Sequence, residues 1–494
     1  MNYKMMCRFF ALICAAEAVF MLPALGISIY DRTTVATVGL GVTIAVAAAL
    51  FALFKYISRN TTGVLYAKEG FVCVASSWIL MSVIGALPFV ISGVLPNFVD
   101  ALFETVSGFT TTGSSVIRDV EVIPRGIMYW RCFTHWVGGL GILVFLLMLV
   151  PGGKNEGFTM HLFRAESPGP EVGKLVPKMK QTATVLYTTY IVLTVINFAF
   201  LVAGEMDIFE ALCTSFGTAG TGGFGIKNDS MASYSPYIQN VTTVFLLLFG
   251  VNFSCYYLLI LRQFKSVFRD EELRLYIGIV GVSIALITVN IFTAGYFGSV
   301  GESLRHAAFQ VASIISTAGF STTDFDLWPA FSKFILMILM VTGACAGSTC
   351  GGMKCARVLL LFKNLRRNIR NMLHPQQVQV VRVNGRSVDE KVLTNTNGYL
   401  AAYFIILFLS FVLVALGESF WWASGETGTI GTVFSSVLTC FNNVGPGFEA
   451  VGPMANFAEL TYFTKIVLTF DMLAGRLEIF PLLLLFSRKV WKRA

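Results

Sequence analysis

The sequence predicts an all-α polytopic membrane protein, with four pseudo-symmetric helix–pore loop–helix repeats around one central pore and two extra transmembrane helices before them. Hydrophobic residues make up 55% of the 494 residues and charged residues only 13%, which is too little polar surface to cover a soluble globule. Apolar stretches of about 20 residues, the length that crosses a bilayer core, recur along the whole chain. A glycine-centred polar break also recurs, at Gly113, Gly223, Gly319 and Gly445.

The apolar stretches give ten predicted spans. The first is longer than the roughly 7–15 apolar residues of a signal peptide, so we expect it to be retained as a membrane helix that pairs with the second. The other eight form four pairs, each divided by one polar break. The spans are Phe9–Tyr30, Val35–Phe54, Phe71–Leu95, Gly126–Val150, Thr184–Val202, Thr242–Leu261, Leu275–Phe297, one that begins at Phe334, Leu400–Leu416 and Tyr462–Phe486.

These pairs divide the chain into six predicted segments. Each repeat begins and ends on the same side of the membrane, so all four have equal orientation. We expect an N-terminal helix pair at 1–68, pore repeats at 69–153, 154–264 and 265–372 (the last with an intramembrane gate loop), a cytoplasmic hairpin or linker at 373–395 and a fourth pore repeat at 396–494.

Each polar break follows a segment that predicts a short helix. Non-helical backbone is tolerated at membrane depth only where it lines a water-filled path or is buried in protein, and its carbonyl groups can then replace the hydration shell of a cation. Glycine allows the backbone angles of such a loop, and the C-terminal end of a helix favours a cation. One break alone would indicate an extracellular turn, whereas four at comparable places predict a ring. The short helices are expected at Ala101–Phe109, Glu210–Phe216, Leu304–Ser316 and Val433–Phe441.

The distribution of charge predicts the orientation. With the N-terminus in the cytoplasm, 27 of the 36 Lys and Arg residues fall on the inside, as the positive-inside rule requires, and both termini are cytoplasmic. The four breaks then lie at the outer face with many acidic residues, among them Glu104, Asp119, Glu418 and Glu426. These acids either concentrate cations at a pore mouth or only reflect the exclusion of bases from that face.

A second run of small residues, Gly343–Gly352, lies within the eighth span. It predicts that the helix unwinds half-way and forms a loop just below the ring, which indicates a gate. A helix-packing motif of small residues is the alternative.

The stretch after this run is basic and then turns polar. Lys354–Arg370 predicts an inner helix whose bases snorkel at the membrane surface. Farther on, Asn384-Gly385 is a favoured hairpin turn, and it follows valines at 378, 380 and 383. We expect a small cytoplasmic hairpin, which is either a linker or a docking surface for a partner.

Charged residues inside predicted spans are costly and by default functional. Arg476 in the last span predicts an electrostatic barrier to cations below the ring, and the alternative is a buried ion pair with Asp471 or Glu478. Arg131 lies nearer the outer end of its span and is expected to snorkel.

Several motifs in order then make a resemblance visible. The chain resembles the Trk/Ktr/HKT superfamily of cation transporters, and most closely its TrkH-type potassium uptake subunits, over nearly its whole length. The motifs are SGFTTTGSS, WVGGLG from Trp136, GGFG after Thr221, STAGFSTTDF from Ser316, AGSTCGGMK, HPQQVQVVRVNGR, FNNVGPGF and GRLEIF.

The resemblance implies one conducting pore per chain, a homodimer in a bacterial cytoplasmic (inner) membrane, and K⁺ as the transported ion with no organic cofactor. It also implies gating by a cytoplasmic nucleotide-binding subunit of the TrkA type, and no nucleic-acid partner. Filter residues implied by it are Thr111, Thr112, Gly113, Thr221, Gly222, Gly223, Thr317, Ala318, Gly319, Asn443, Val444 and Gly445, with Gly222 and Gly223 competing for the glycine position. Gate residues implied by it are Gly347, Ser348, Thr349, Gly351, Gly352, Lys354 and Arg476.

Two other functions are weighed against a gated potassium pore. A sodium- or proton-coupled symporter that works by alternating access commonly has inverted repeats, whereas these four repeats have equal orientation. An intramembrane enzyme needs a catalytic constellation within the spans, and the sequence offers none. The ten Cys and four His residues form no metal-binding pattern.

Overall fold

The computed structural model describes residues 2–59, 67–139, 141, 179–377, 379–421 and 428–491, most of which are helical. The predicted all-α architecture is confirmed. In chain order the elements are α1 (Tyr3–Phe20), α2 (Leu22–Tyr30), α3 (Thr34–Ile57), α4 (Ala67–Ile91), α5 (Phe98–Phe109), α6 (Arg125–Gly139), α7 (Met179–Ala203), α8 (Ile208–Gly220), α9 (Pro236–Phe249), α10 (Phe253–Ile260), α11 (Phe264–Phe268), α12 (Glu271–Thr293), α13 (Val300–Ile315), α14 (Ala330–Thr342), α15 (Cys355–Leu373), β1 (Arg382–Val383), β2 (Arg386–Ser387), α16 (Glu390–Trp421), α17 (Ile430–Asn442), α18 (Tyr462–Arg476), α19 (Phe480–Leu485) and α20 (Arg488–Trp491).

Six spans within the described residues are long and apolar enough to cross a bilayer: α1 with α2, then α3, α4, α7, α12 and α16. They carry many exposed apolar side chains, such as Ile277 and Val289 of α12 and Phe404 and Phe408 of α16. Exposed apolar side chains on long helices are what a lipid environment accommodates. The chain is therefore a multi-pass membrane protein.

Four shorter helices, α5, α8, α13 and α17, lie in the interior of the molecule. All four were predicted, and each begins at a polar N-cap whose side chain accepts a backbone N–H bond within the first turn. The caps are Asn97, Asp207, Ser299 and Thr429. Most residues in the last two turns of each helix are buried, so their C-terminal ends point into the protein.

Two of the predicted second spans, those of the second and fourth repeats, are not continuous helices. The prediction of a continuous span over Thr242–Leu261 is wrong, because α9 and α10 meet at an angle of 88°. Continuity over Tyr462–Phe486 is also wrong, because α18 ends at Arg476 and Ile479 has a φ of +65°. The predicted span Gly126–Val150 is helical to Gly139, and its end lies outside the described residues.

The bend between α9 and α10 is stabilised by the loop that follows α14. The carbonyl group of Gly250 accepts a hydrogen bond from the amide of Cys345, and the amide of Phe253 donates to the carbonyl group of Gly347, both at 3.1 Å. Backbone groups freed by a helix break at membrane depth need such partners. The backbone groups of the bend and of the loop after α14 therefore satisfy each other's hydrogen bonds.

The run between Thr342 and Cys355 is non-helical, as the small residues predicted. We call Gly343–Lys354 the gate segment. Beyond it, α15 is a separate helix, and β1 and β2 pair antiparallel around Asn384-Gly385. The predicted hairpin is confirmed, although residue 378 lies outside the described part of the chain.

Candidate functional site

The four buried helices end in one repeated backbone motif. A residue with left-handed angles is followed two positions later by a glycine of positive φ, and the amide between them donates to the carbonyl group five residues earlier. This is the Schellman arrangement. The φ values are 55° and 84° for Thr111 and Gly113, 53° and 76° for Thr221 and Gly223, 57° and 80° for Thr317 and Gly319, and 55° and 105° for Asn443 and Gly445. The amides of Thr112, Gly222, Ala318 and Val444 donate at 2.8 to 2.9 Å.

Each of these glycines abuts a carbonyl group of the next loop. The contacts run from the first loop to the second, third and fourth, and back to the first, so the loops close into a ring. We call Thr111–Gly113, Thr221–Gly223, Thr317–Gly319 and Asn443–Gly445 the carbonyl ring. A methyl group on Gly113 would lie 2.1 Å from the Gly222 oxygen, on Gly223 1.8 Å from that of Ala318, on Gly319 2.2 Å from that of Val444, and on Gly445 2.8 Å from that of Thr112.

The second loop has two adjacent glycines with different constraints. Gly223 has the positive φ and the inter-loop contact that its counterparts have. Gly222 instead faces the ring of His135, whose atoms would lie 2.4 Å from a methyl group there. His135 Nδ1 lies 2.7 Å from the carbonyl oxygen of Gly108, and the amide of Phe224 donates to its Nε2 at 3.1 Å. His135 therefore lies between the end of α5, which leads into the first loop, and the residue that follows the second loop.

The two faces of the carbonyl ring differ in exposure. Gly113, Gly223 and Gly319 are partly exposed, and Gly445 is buried. The left-handed residues on the opposite face, Thr111, Thr221, Thr317 and Asn443, are completely buried. The glycine face is thus the more open one.

The gate segment covers the buried face. The amide of Gly351 donates to Thr317 Oγ1 at 2.6 Å, and Thr221 Oγ1 donates to Thr349 Oγ1 at 3.4 Å. A methyl group on Gly351 would lie 2.9 Å from Cβ of Asn443. Three of the four left-handed residues therefore contact this segment directly.

Arg476 connects the gate segment to the first loop. Its Nη1 donates to the carbonyl oxygen of Thr349 at 3.0 Å and to Thr111 Oγ1 at 3.3 Å. Its Nη2 donates to the carbonyl oxygens of Gly138 and Gly139, both at 2.5 Å. The guanidinium group thus lies under the ring among backbone oxygens. Asp471, proposed as its partner from the sequence, accepts a bond from Ser410 Oγ at 2.6 Å, and Glu478 pairs with Arg357.

The other predicted gate residues fold the segment on itself. Ser348 Oγ donates to the carbonyl group of Cys345 at 2.6 Å. Gly352, at φ +74°, packs against Gly343. Lys354 is buried, and its ammonium group donates to the carbonyl group of Cys350. The segment is therefore a compact, hydrogen-bonded loop.

Such a site suits a small dehydrated cation. Backbone carbonyl groups converge from four loops, and four helix C-termini point toward them. The more open glycine face lies on one side of the carbonyl ring. The gate segment and the positive charge of Arg476 lie on the other side.

Comparison with known proteins decides the family. The family model for TrkH, described as a cation transport protein, matches residues 35–493. The chain belongs to the TrkH family. The Trk system potassium uptake protein TrkH of Escherichia coli strain K12 is 34% identical over 455 residues, which cover 91% of each chain. The protein of the same name from Halomonas elongata is 32% identical over 500 residues and covers both chains completely.

A solved structure agrees with this assignment. The crystal structure of the potassium transporter TrkH from Vibrio parahaemolyticus superposes with a TM-score of 0.87 at 30% identity and covers both chains completely. The fold of this TrkH-family chain is therefore the fold of that transporter.

The sequence analysis of this TrkH-family chain did not predict a buried ion pair that lies behind the ring. The expectation that Arg131 snorkels is wrong, because its side chain is 2% exposed and its Nε donates to Glu104 Oε1 at 2.7 Å. Glu104, predicted at the outer mouth, is also fully buried, and it accepts from the amide of Val116 at 2.9 Å. Arg131 further donates to the carbonyl oxygen of Gly225 at 3.0 Å. The pair therefore joins the segments that follow the first and second loops.

The acidic residues predicted at the outer face fall into two groups. Glu418 is buried, like Glu104, and accepts from the amide of Thr461 at 3.0 Å, while Glu426 lies outside the described residues. Asp119 is fully exposed, and a hydrogen bond from Asn228 lowers its pKa below the usual value. Asp119 is therefore an ionised carboxylate at the protein surface.

Proposed function

We propose that this protein takes up potassium ions across the bacterial cytoplasmic membrane through the carbonyl ring. The relatives are named potassium uptake proteins, and the observation that carries the proposal is the closed cycle of glycine–carbonyl contacts. Cations that pass such a ring exchange hydration water for main-chain oxygens. K⁺ is then the transported substrate, and the chain supplies no enzymatic chemistry.

Filter and gate have distinct roles in this proposal. The twelve residues of the carbonyl ring coordinate the ion, and the four repeats, at 69–153, 154–264, 265–372 and 396–494, contribute one loop each. The gate segment, through Gly347, Ser348, Thr349, Gly351, Gly352 and Lys354, blocks the inner exit together with Arg476. A pore closed by a plug is favoured over alternating access, because the glycine–carbonyl contacts join the four loops in one closed cycle and alternating-access carriers commonly have inverted repeats.

We propose a homodimer with both termini in the cytoplasm, gated by a cytoplasmic nucleotide-binding subunit of the TrkA type, with no nucleic-acid partner. With this orientation the basic residues of α15 and of the segment 373–395 lie on the inner side, in agreement with the positive-inside rule.

The test replaces the most constrained glycine. Gly223→Ala places a methyl group 1.8 Å from the Ala318 oxygen, and overpacking of this kind costs about 1–3 kcal/mol. We expect K⁺ flux into proteoliposomes to fall by about tenfold or more. Gly281→Ala is the control, because a methyl group on that glycine of α12 meets nothing within 4 Å.

Equal flux in Gly223→Ala and Gly281→Ala, at equal amounts of inserted protein, would contradict conduction through the ring. Saturating flux that survives the substitution would favour a carrier.

A further inference from the structure

Three successive residues of the gate segment form hydrogen bonds with other parts of the chain. The amide of Cys345 donates to Gly250, and the carbonyl group of Gly347 accepts from Phe253. Between them, the amide of Ala346 donates to Glu272 Oε1 at 2.5 Å. A buried backbone N–H group in a non-helical loop needs such an acceptor. Glu272, in the first turn of α12, thus supplies a side-chain contact that fixes the gate segment.

The start of α12 is itself held by the tip of the hairpin. Asn384 Oδ1 accepts from the amide of Glu271 at 2.9 Å, and Asn384 Nδ2 donates to Asp270 Oδ2 at 2.7 Å. Asn384 occupies the turn with a φ of +51°, so its side chain projects from the tip. These two bonds cross 113 and 114 residues of sequence. The hairpin is therefore bonded to the two residues just before Glu272.

The helix that leaves the gate segment belongs to the same unit. Lys363 of α15 donates to the carbonyl oxygen of Arg382 in the hairpin at 2.6 Å and pairs with the Glu271 carboxylate. Val381 and Val383 of the hairpin are buried in one cluster with Leu360 of α15. The hairpin, the start of α12 and α15 are thus tied by polar and apolar contacts.

We infer that Glu272 is a positioning residue that latches the gate segment at Ala346, and that the hairpin holds this latch in place through Asn384. Displacement of the hairpin pulls Asp270 and Glu271, withdraws Glu272 and releases the amide of Ala346. A cytoplasmic partner that grips the hairpin thereby reaches the gate segment without touching it. The inference rests on the proposed gating role of this segment.

The test uses a cysteine that the gate segment already contains. Cys345 is completely buried next to Ala346, so its reaction with a small methanethiosulfonate reagent reports release of the segment. The other nine cysteines are replaced by serine or alanine, and labelling is measured in proteoliposomes without K⁺. Glu272→Ala should raise the labelling rate by about tenfold, the effect of one lost hydrogen bond. Glu272→Gln, whose amide oxygen still accepts from Ala346, should restore the slow rate.

A matched pair tests the hairpin. Asn384→Ala should raise the labelling rate of Cys345, whereas Arg386→Ala, an exposed change in β2, should leave it unchanged. Equal rates in Glu272→Ala, Glu272→Gln and the parent would overturn the latch, and equal rates in the two hairpin variants would overturn its link to the hairpin. If the parent carries no K⁺ flux while the labelling differences persist, the proposed function fails and the latch stands.

Discussion

Glu104 and Arg131 show how a charged pair supports a ring made of backbone. Both side chains are almost completely buried, and Arg131 also stacks on Phe224 with its guanidinium carbon 3.7 Å from the ring centroid. Buried ion pairs recover their desolvation cost only when further hydrogen bonds satisfy both groups. Here Ser115, Val116 and the carbonyl group of Gly225 supply these bonds. The pair therefore fixes the outer ends of two loops.

Removing one member of the pair should be costly. Arg131→Met leaves the Glu104 carboxylate buried without its counter-charge, and we expect a loss of about 3–5 kcal/mol of stability. Glu104→Gln together with Arg131→Met should lose less than the sum of the single changes, which a double-mutant cycle measures by thermal unfolding in detergent. The exposed pair of Arg118 and Glu459 is the control, with an expected coupling below about 1 kcal/mol. Additive losses of stability at Glu104 and Arg131 would disprove that the two side chains stabilise the protein as a pair.

Among the elements, the gate segment that follows α14 contacts several distant parts of the chain. The gate segment bonds to the bend of α9, to the second and third loops, and through Arg476 to the first. These contacts hold a non-helical stretch against the ring at membrane depth, where unpaired backbone is costly. The segment and the ring therefore stabilise each other.

Shortening this element should open the pore. Deletion of residues 348–351 removes the contacts of Thr349 and Gly351 with the ring, so we expect higher K⁺ flux without any regulatory subunit. Arg476→Ala should also raise flux, because it removes the positive charge under the ring, while Arg118→Ala on the outer surface should not. The measurement is single-channel current in planar bilayers. Unchanged current in both the deletion and Arg476→Ala would exclude the gate.

The sequence predicted some elements better than others for physical reasons. The four short helices were found because each directly precedes a Gly-centred polar break, which is a local signal. The bend at Gly250 was missed, since one glycine in an apolar run looks like a tolerated helix residue and its partners lie about a hundred residues away. Arg131 was misplaced for the same reason, because its partner Glu104 is 27 residues distant and no periodic pattern links the two. The twelve ring residues came from motifs, and their part in selectivity stays a prediction.

At the scale of the whole molecule, the proposed orientation, which rests on the distribution of Lys and Arg, can be tested with two exposed positions. Exposed Asp119 lies in the segment that follows the first loop of the ring, and exposed Asn384 lies in the hairpin. We expect a cysteine at position 119 to react with a membrane-impermeant thiol reagent added outside intact cells. A cysteine at position 384 should react only after the cells are opened. The reverse pattern would contradict the proposed topology.

The closed cycle of glycine–carbonyl contacts is built from one polypeptide, and its four quarters are not identical. The residue between the left-handed position and the glycine is Thr112, Gly222, Ala318 or Val444. In a channel assembled from four copies of one subunit, a single codon change alters every quarter at once. Here the same mutational step touches one quarter and leaves three intact, so a single substitution changes the ring by one quarter at a time.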